Sequence, residues 1–139
     1  MATGTAGSNA RQYHQQMVHY IRKEVNYNDA GIATGIKIGT LPAGAIIIGT
    51  DVHVQTVFNA GTTNVLTVGG NSPSYNDIVA SGDVNEAATG LTKDISPTGS
   101  SLGVIAADRP VYAMYTQTGT AATTGKAQII IKYIPNNDG

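Results

Sequence analysis

The sequence has no cysteine, no tryptophan, one phenylalanine and few charges. Without cysteine there can be no disulfide framework and no thiolate metal site. No apolar run reaches the roughly 18 residues of a helical membrane span, so no membrane partner is expected. The N-terminus lacks a basic region followed by an apolar segment, so no signal peptide is expected. Charged residues make up 12% of the chain, against about 25% in an average soluble domain. The net charge is −1. Nucleic-acid binding by phosphate neutralisation needs clustered Lys and Arg, and this balance argues against it.

What remains is rich in Thr, Ser, Asn and Gly, with 41% hydrophobic residues. That hydrophobic content with so little net charge disfavours disorder for the body of the chain. A chain of 139 residues fits one domain, and at this size folding buries roughly 68–70% of the unfolded surface. A low-charge surface of small polar residues suggests an all-β protein, much of it covered by neighbours.

Residues 41–69, LPAGAIIIGTDVHVQTVFNAGTTNVLTVG, carry the clearest pattern. A turn at Pro42 and Gly44 precedes an apolar run, 45–48, which Gly49, Thr50 and Asp51 interrupt. Val52, Val54, Thr56 and Phe58 then alternate with His53, Gln55 and Val57, the period of a strand with two unlike faces. Asn59, Ala60 and Gly61 supply turn residues, so 62–68 is expected to return as the hairpin partner. An apolar sheet of this kind needs a second layer.

Elsewhere, residues 1–16 read as a flexible N-terminal arm. Residues 17–27 are compatible with one or two helical turns, but Tyr20, Ile21, Val25 and Tyr27 favour a strand. Alternation places strands at 32–41 and 111–118. Residues 69–102 hold Gly, Ser, Pro, Asn and Asp, with a short strand expected near 78–80 and long connections; another short strand is expected at 102–106. Ile129, Ile130 and Ile131 put apolar groups on both faces of a closing strand, 128–133. Such a strand is either central between layers or half of an interface, the latter giving a self-association surface. Pro135 stops it, and 136–139 form a polar tail. About eight strands and little helix predict one domain over 17–135, a two-sheet antiparallel sandwich of jelly-roll-like form.

Chemistry is sparse. His14 and His19, five apart, fall on opposite faces of a strand and make a poor metal pair, and His53 sits on a polar face. Asp83, Glu86 and Asp94 share a loop but lack the dense oxygen donors of a calcium motif, so a solvated acidic loop is expected. Val68-Gly69-Gly70-Asn71 reads as a turn, not a phosphate cradle, and no serine carries a nucleophile elbow. Tyr112 with Tyr115, or Tyr13 with Tyr20, are the candidates for an aromatic platform, but cross-strand packing is the expected use. No catalytic, metal or cofactor residues are assigned. The inventory favours a structural or binding protein over an enzyme.

Residues 41–69, together with 109–135 (RPVYAMYTQTGTAATTGKAQIIIKYIP) and 20–31 (YIRKEVNYNDAG), resemble the capsid cement, or head decoration, proteins of tailed bacteriophages. The resemblance implies a jelly-roll-like fold on the outer face of a phage head, bridging major capsid protein subunits. It carries no site residues across. The arm and first strand (Arg11, Tyr13, His14, Tyr20 and Arg22) are the expected capsid contacts, since Tyr and Arg are favoured interface anchors. Self-association is expected as a two-fold dimer, with a trimer as the alternative. The competing readings are a carbohydrate-binding or fibre-type module, against which the missing tryptophan counts, and, further off, a small hydrolase.

Overall fold

The computed structural model describes residues 18–136. Seven strands follow one another: β1 (His19–Asn26), β2 (Ile36–Leu41), β3 (Ile46–Thr56), β4 (Thr63–Gly69), β5 (Gly90–Ile95), β6 (Arg109–Thr118) and β7 (Lys126–Ile134). A single 3-10 turn spans Gly99–Ser101. The strands make a four-stranded sheet, β1-β7-β3-β5, and a three-stranded sheet, β2-β6-β4.

The pairings nest. β1 lies antiparallel to β7, β2 to β6 and β3 to β5, while β4 holds a single bridge from Val68 to Val79. A chain paired this way is one long hairpin with its tip in residues 70–78, rolled over into two layers. That is the connectivity of a jelly roll. The remaining ladders, β3 with β7 and β4 with β6, stitch the ribbon to itself.

This topology corrects the hairpin expected at residues 52–68. β3 spends its two edges on β7 and β5, and β4 pairs with β6 in the opposite sheet. The turn at Asn59, Ala60 and Gly61 is therefore a crossing between layers. Asn59 secures it: its side-chain oxygen accepts from the Thr123 and Thr124 N–H groups (2.8 and 3.0 Å), and its amide donates to the Thr123 hydroxyl (2.9 Å). The break expected at Gly49, Thr50 and Asp51 is also absent. β3 runs through it, with register shifts between Ile47 and Gly49 against β7 and between Thr50 and Val52 against β5. β2 is shorter than expected, because Gly31 and Gly35 turn the chain at positive φ before it. The strands expected at 78–80 and 102–106 reduce to single bridges, Val68 to Val79 and Ile46 to Val104.

The core lies between the sheets. Ile21, Val25, Ile47, Val52, Val54, Ile129 and Ile131 from the larger sheet meet Leu41, Leu66, Val68, Val111, Ala113 and Tyr115 from the smaller. Phe58 leaves the end of β3 and packs tilted on Tyr115, ring centroids 4.7 Å apart. Gly125 faces Phe58 with φ 151, and a Cβ there would collide with the ring, so the β6–β7 connection needs glycine at that position.

Candidate interaction surface

The register of β1, β7 and β3 fixes which residues face outward from the four-stranded sheet. Tyr20, Arg22 and Glu24 of β1 lie opposite Lys132, Ile130 and Gln128 of β7, and these in turn face Gly49, Asp51 and His53 of β3. Half of this face is polar and locally paired. Arg22 donates through Nε to Gln128 Oε1 (2.8 Å). Lys132 reaches Asp51 (3.3 Å) and Asp94 (3.2 Å), and the Asp94 N–H donates to Asp51 (3.0 Å). The hydrogen bond to Asp94, with Asp51 adding to it against partial desolvation, raises the Lys132 ammonium above its ordinary value. Its ion pairs are partly exposed, so their contribution to stability is small.

The other half is apolar. Ile46 lies opposite Ile134 on one side and bridges Val104 on the other. One step beyond the last registered pair, His19 with Tyr133, the alternation sets Val18 beside Ile134. Ile48, in the bulge of β3, and Tyr20 lie one rung further in. These six side chains are 40–65% exposed. The outer face of the smaller sheet differs: Tyr75 stacks on Tyr112 there, centroids 4.6 Å apart.

The expected contact residues divide accordingly. Tyr20 and Arg22 share this outward face, and both are exposed. Arg11, Tyr13 and His14 lie outside the described residues, as does the whole of the expected arm. The isoleucine run expected to carry self-association divides between the two faces of the sheet. Ile129 and Ile131 are fully buried against the opposite sheet, because β7 is the strand between β1 and β3. Their side chains are committed to the core. Only Ile130 faces outward, half-buried between Arg22 and Asp51.

The acidic loop is not a solvated cluster. Asp83 accepts from the Ala80 N–H (2.8 Å), and Asp94 pairs with Lys132. Glu86 is buried and accepts the Leu66 N–H at 2.7 Å, while its own carbonyl accepts from Phe58 N–H. Its carboxylate therefore seals the free edge of β4, where an unpaired strand would otherwise stand. Nearby, the Tyr115 hydroxyl donates to Asn64 Oδ1 at 2.5 Å. Burial, and then the negative charge of Glu86, push the Tyr115 phenol above its ordinary range. Tyr112 and Tyr115 point to opposite sides of their sheet, so they form no common platform.

His19 sits against the Tyr133 ring (5.8 Å) and His53 is exposed on the outer face. Among the described residues, no three His, Asp or Glu side chains are grouped for a metal ion. A cavity of about 350 Å³ is lined in part by Gly70, Asp108, Arg109 and Pro110. Arg109 is already engaged there, donating to Asp77 and to the Ser101 hydroxyl. It ties the tip of the ribbon to the start of β6.

No family model and no curated protein matches the chain. Solved structures do share its fold. A chain in the acidic stable capsid structure of Helicobacter pylori bacteriophage KHP30 is similar at TM-score 0.59 and 15% identity, covering 86% of this chain and 89% of that one. A chain of the cyanophage Pam1 capsid asymmetric unit is similar at TM-score 0.56 and 17% identity, covering 88% and 87%. A chain of the capsid of Ralstonia phage GP4 is similar at TM-score 0.57 and 22% identity, covering 88% and 86%. The chain thus has, over nearly its whole described length, the fold of chains found in phage capsid structures.

Proposed function

We propose that this chain is a structural virion protein, a cement protein that binds the outside of a tailed-phage head and bridges major capsid protein subunits. The observation that carries the reading is the end-to-end match of fold to chains of three phage capsid structures, each chain covering most of the other. The chemistry supports it. Asp83, Glu86 and Asp94 are engaged in holding the fold, and most of the exposed large apolar side chains lie on one broad sheet face.

In this reading the shell contacts come from the arm and the first strand: Arg11, Tyr13, His14, Tyr20 and Arg22. The protein acts as a homo-oligomer, most simply a dimer. Cementing then works by added interface area. A standard interface buries about 1,600 Å², and repetition around a shell multiplies modest contacts by avidity. The test is co-sedimentation with purified expanded capsids. A truncation lacking residues 1–16 is expected to keep the β-sheet spectrum of the full chain and to bind shells more weakly. Undiminished binding would remove the arm from the contact, and a full chain that never sediments with shells would remove the cement role.

A further inference from the structure

The apolar end of the four-stranded face is the feature that the fold does not explain. Val18, Ile134, Ile46 and Val104 make a transverse row across three strands and a bridge, with Tyr20 and Ile48 one rung behind. Of the eight large hydrophobic side chains exposed among the described residues, these are six. The exposure is not scattered, so the row is a patch. At 40–65% exposure, six such side chains present several hundred Å², the scale that marks an interaction site on a soluble protein.

We propose that a second copy of this chain covers the patch through a two-fold contact. Three observations favour that occupant. The six side chains carry no charge, so the patch can face its own image without like-charge repulsion. Its rim carries both signs, with Arg22 and Lys132 beside Asp51 and Asp94, so the rim sets no field of a single sign against its own image across a two-fold axis. The patch is more uniformly apolar than contacts between independently soluble partners, which are about as polar as the general surface. Permanent interfaces between identical copies are the more hydrophobic kind. With its rim, the patch approaches the roughly 800 Å² that one partner gives to a standard interface.

This deepens the self-association in the proposed function by placing it at the sheet end; Tyr20 and Arg22 then belong to the contact between copies, and the arm carries the contact with the shell. Its test needs no capsid, so it fails or stands separately from the cement role. Sedimentation equilibrium of the full chain is expected to give twice the monomer mass in the micromolar range. Val104→Asp and Ile134→Asp, with unchanged circular dichroism, are each expected to raise the dissociation constant at least about tenfold. Leu91→Asp, at the far end of the same face, is expected to leave it unchanged. Because the native chain has no cysteine, spin labels at Val104→Cys and, separately, at Leu91→Cys report on geometry without depending on a disruptive variant. Labels at position 104 should lie closer together between copies than labels at 91. A monomer, a trimer, an assembly indifferent to both aspartates, or the reverse order of label distances would overturn the proposal.

Discussion

Replacing Glu86 by alanine should destabilise the protein by about 2 kcal/mol, although the residue sits in a loop whose sequence reads as solvated. Its carboxylate accepts the Leu66 N–H at 2.7 Å, and Leu66 is fully buried. Removing the acceptor strands a buried backbone donor, which costs about 1–3 kcal/mol, with charged acceptors toward the upper end. In urea, where small domains have slopes of about 1–3 kcal/mol per molar, the transition midpoint should fall by about 1 M. Glu86→Gln keeps a carbonyl oxygen in place and should lose less. Asp83→Ala is the contrast. Asp83 is exposed and closes a local turn onto Ala80 at 2.8 Å, so its loss should cost well under half as much. Equal midpoints for Glu86→Ala and the parent chain, or a larger loss for Asp83→Ala, would refute the edge-sealing argument.

Two further outcomes follow from the core. Thr50 is fully buried opposite Ile131 and Ile95, and its hydroxyl has no partner among the described residues; Thr50→Val should therefore raise stability by about 1 kcal/mol in thermal melts, and a lowered melting temperature would mean the hydroxyl is satisfied. Tyr115 has its folded-state pKa raised above the ordinary 10.0, first by burial and then by Glu86, so the unfolded chain releases that proton first. Its share of stability is whole below pH 10 and is lost as pH rises through the higher folded value. Tyr115→Phe should weaken the alkaline decline in urea midpoint, while costing about 1 kcal/mol at neutral pH for the lost bond to Asn64. An unchanged alkaline slope would contradict this.

Much of the architecture was legible as alternation. The residues that define β1, β3, β6 and β7 show period-two patterning, and the two-layer sandwich follows from their combined apolar faces. β5 escaped because it is an edge strand. Of Gly90–Ile95 only Ile95 is buried, so the hydrophobic alternation that marks a strand is missing. The expected hairpin is absent because strand pairing here is not decided at the turn. Asn59 and Gly61 do turn the chain, but which sheet β4 joins is decided by β6, some fifty residues later. The isoleucine run showed two apolar faces correctly; that Ile129 and Ile131 meet the opposite layer while Ile130 faces out depends on β7 lying between β1 and β3. The candidate surface was half visible, in Tyr20 and Arg22. Its apolar part joins Val18, Ile46, Val104 and Ile134, which are distant in sequence and become neighbours through pairing.

The place of β7 also bears on how the molecule is made. Residues 126–134 form the middle rung to which both β1 and β3 attach, yet they are synthesised long after either. During translation the early strands emerge with their ladders bare, and the ribbon can close when the final segment arrives. Wiring that relies so heavily on distant partners folds slowly. A ribosome stalled just before Lys126 would hold a chain with open, sticky edges, so shortening from this end should send more of the product into inclusion bodies.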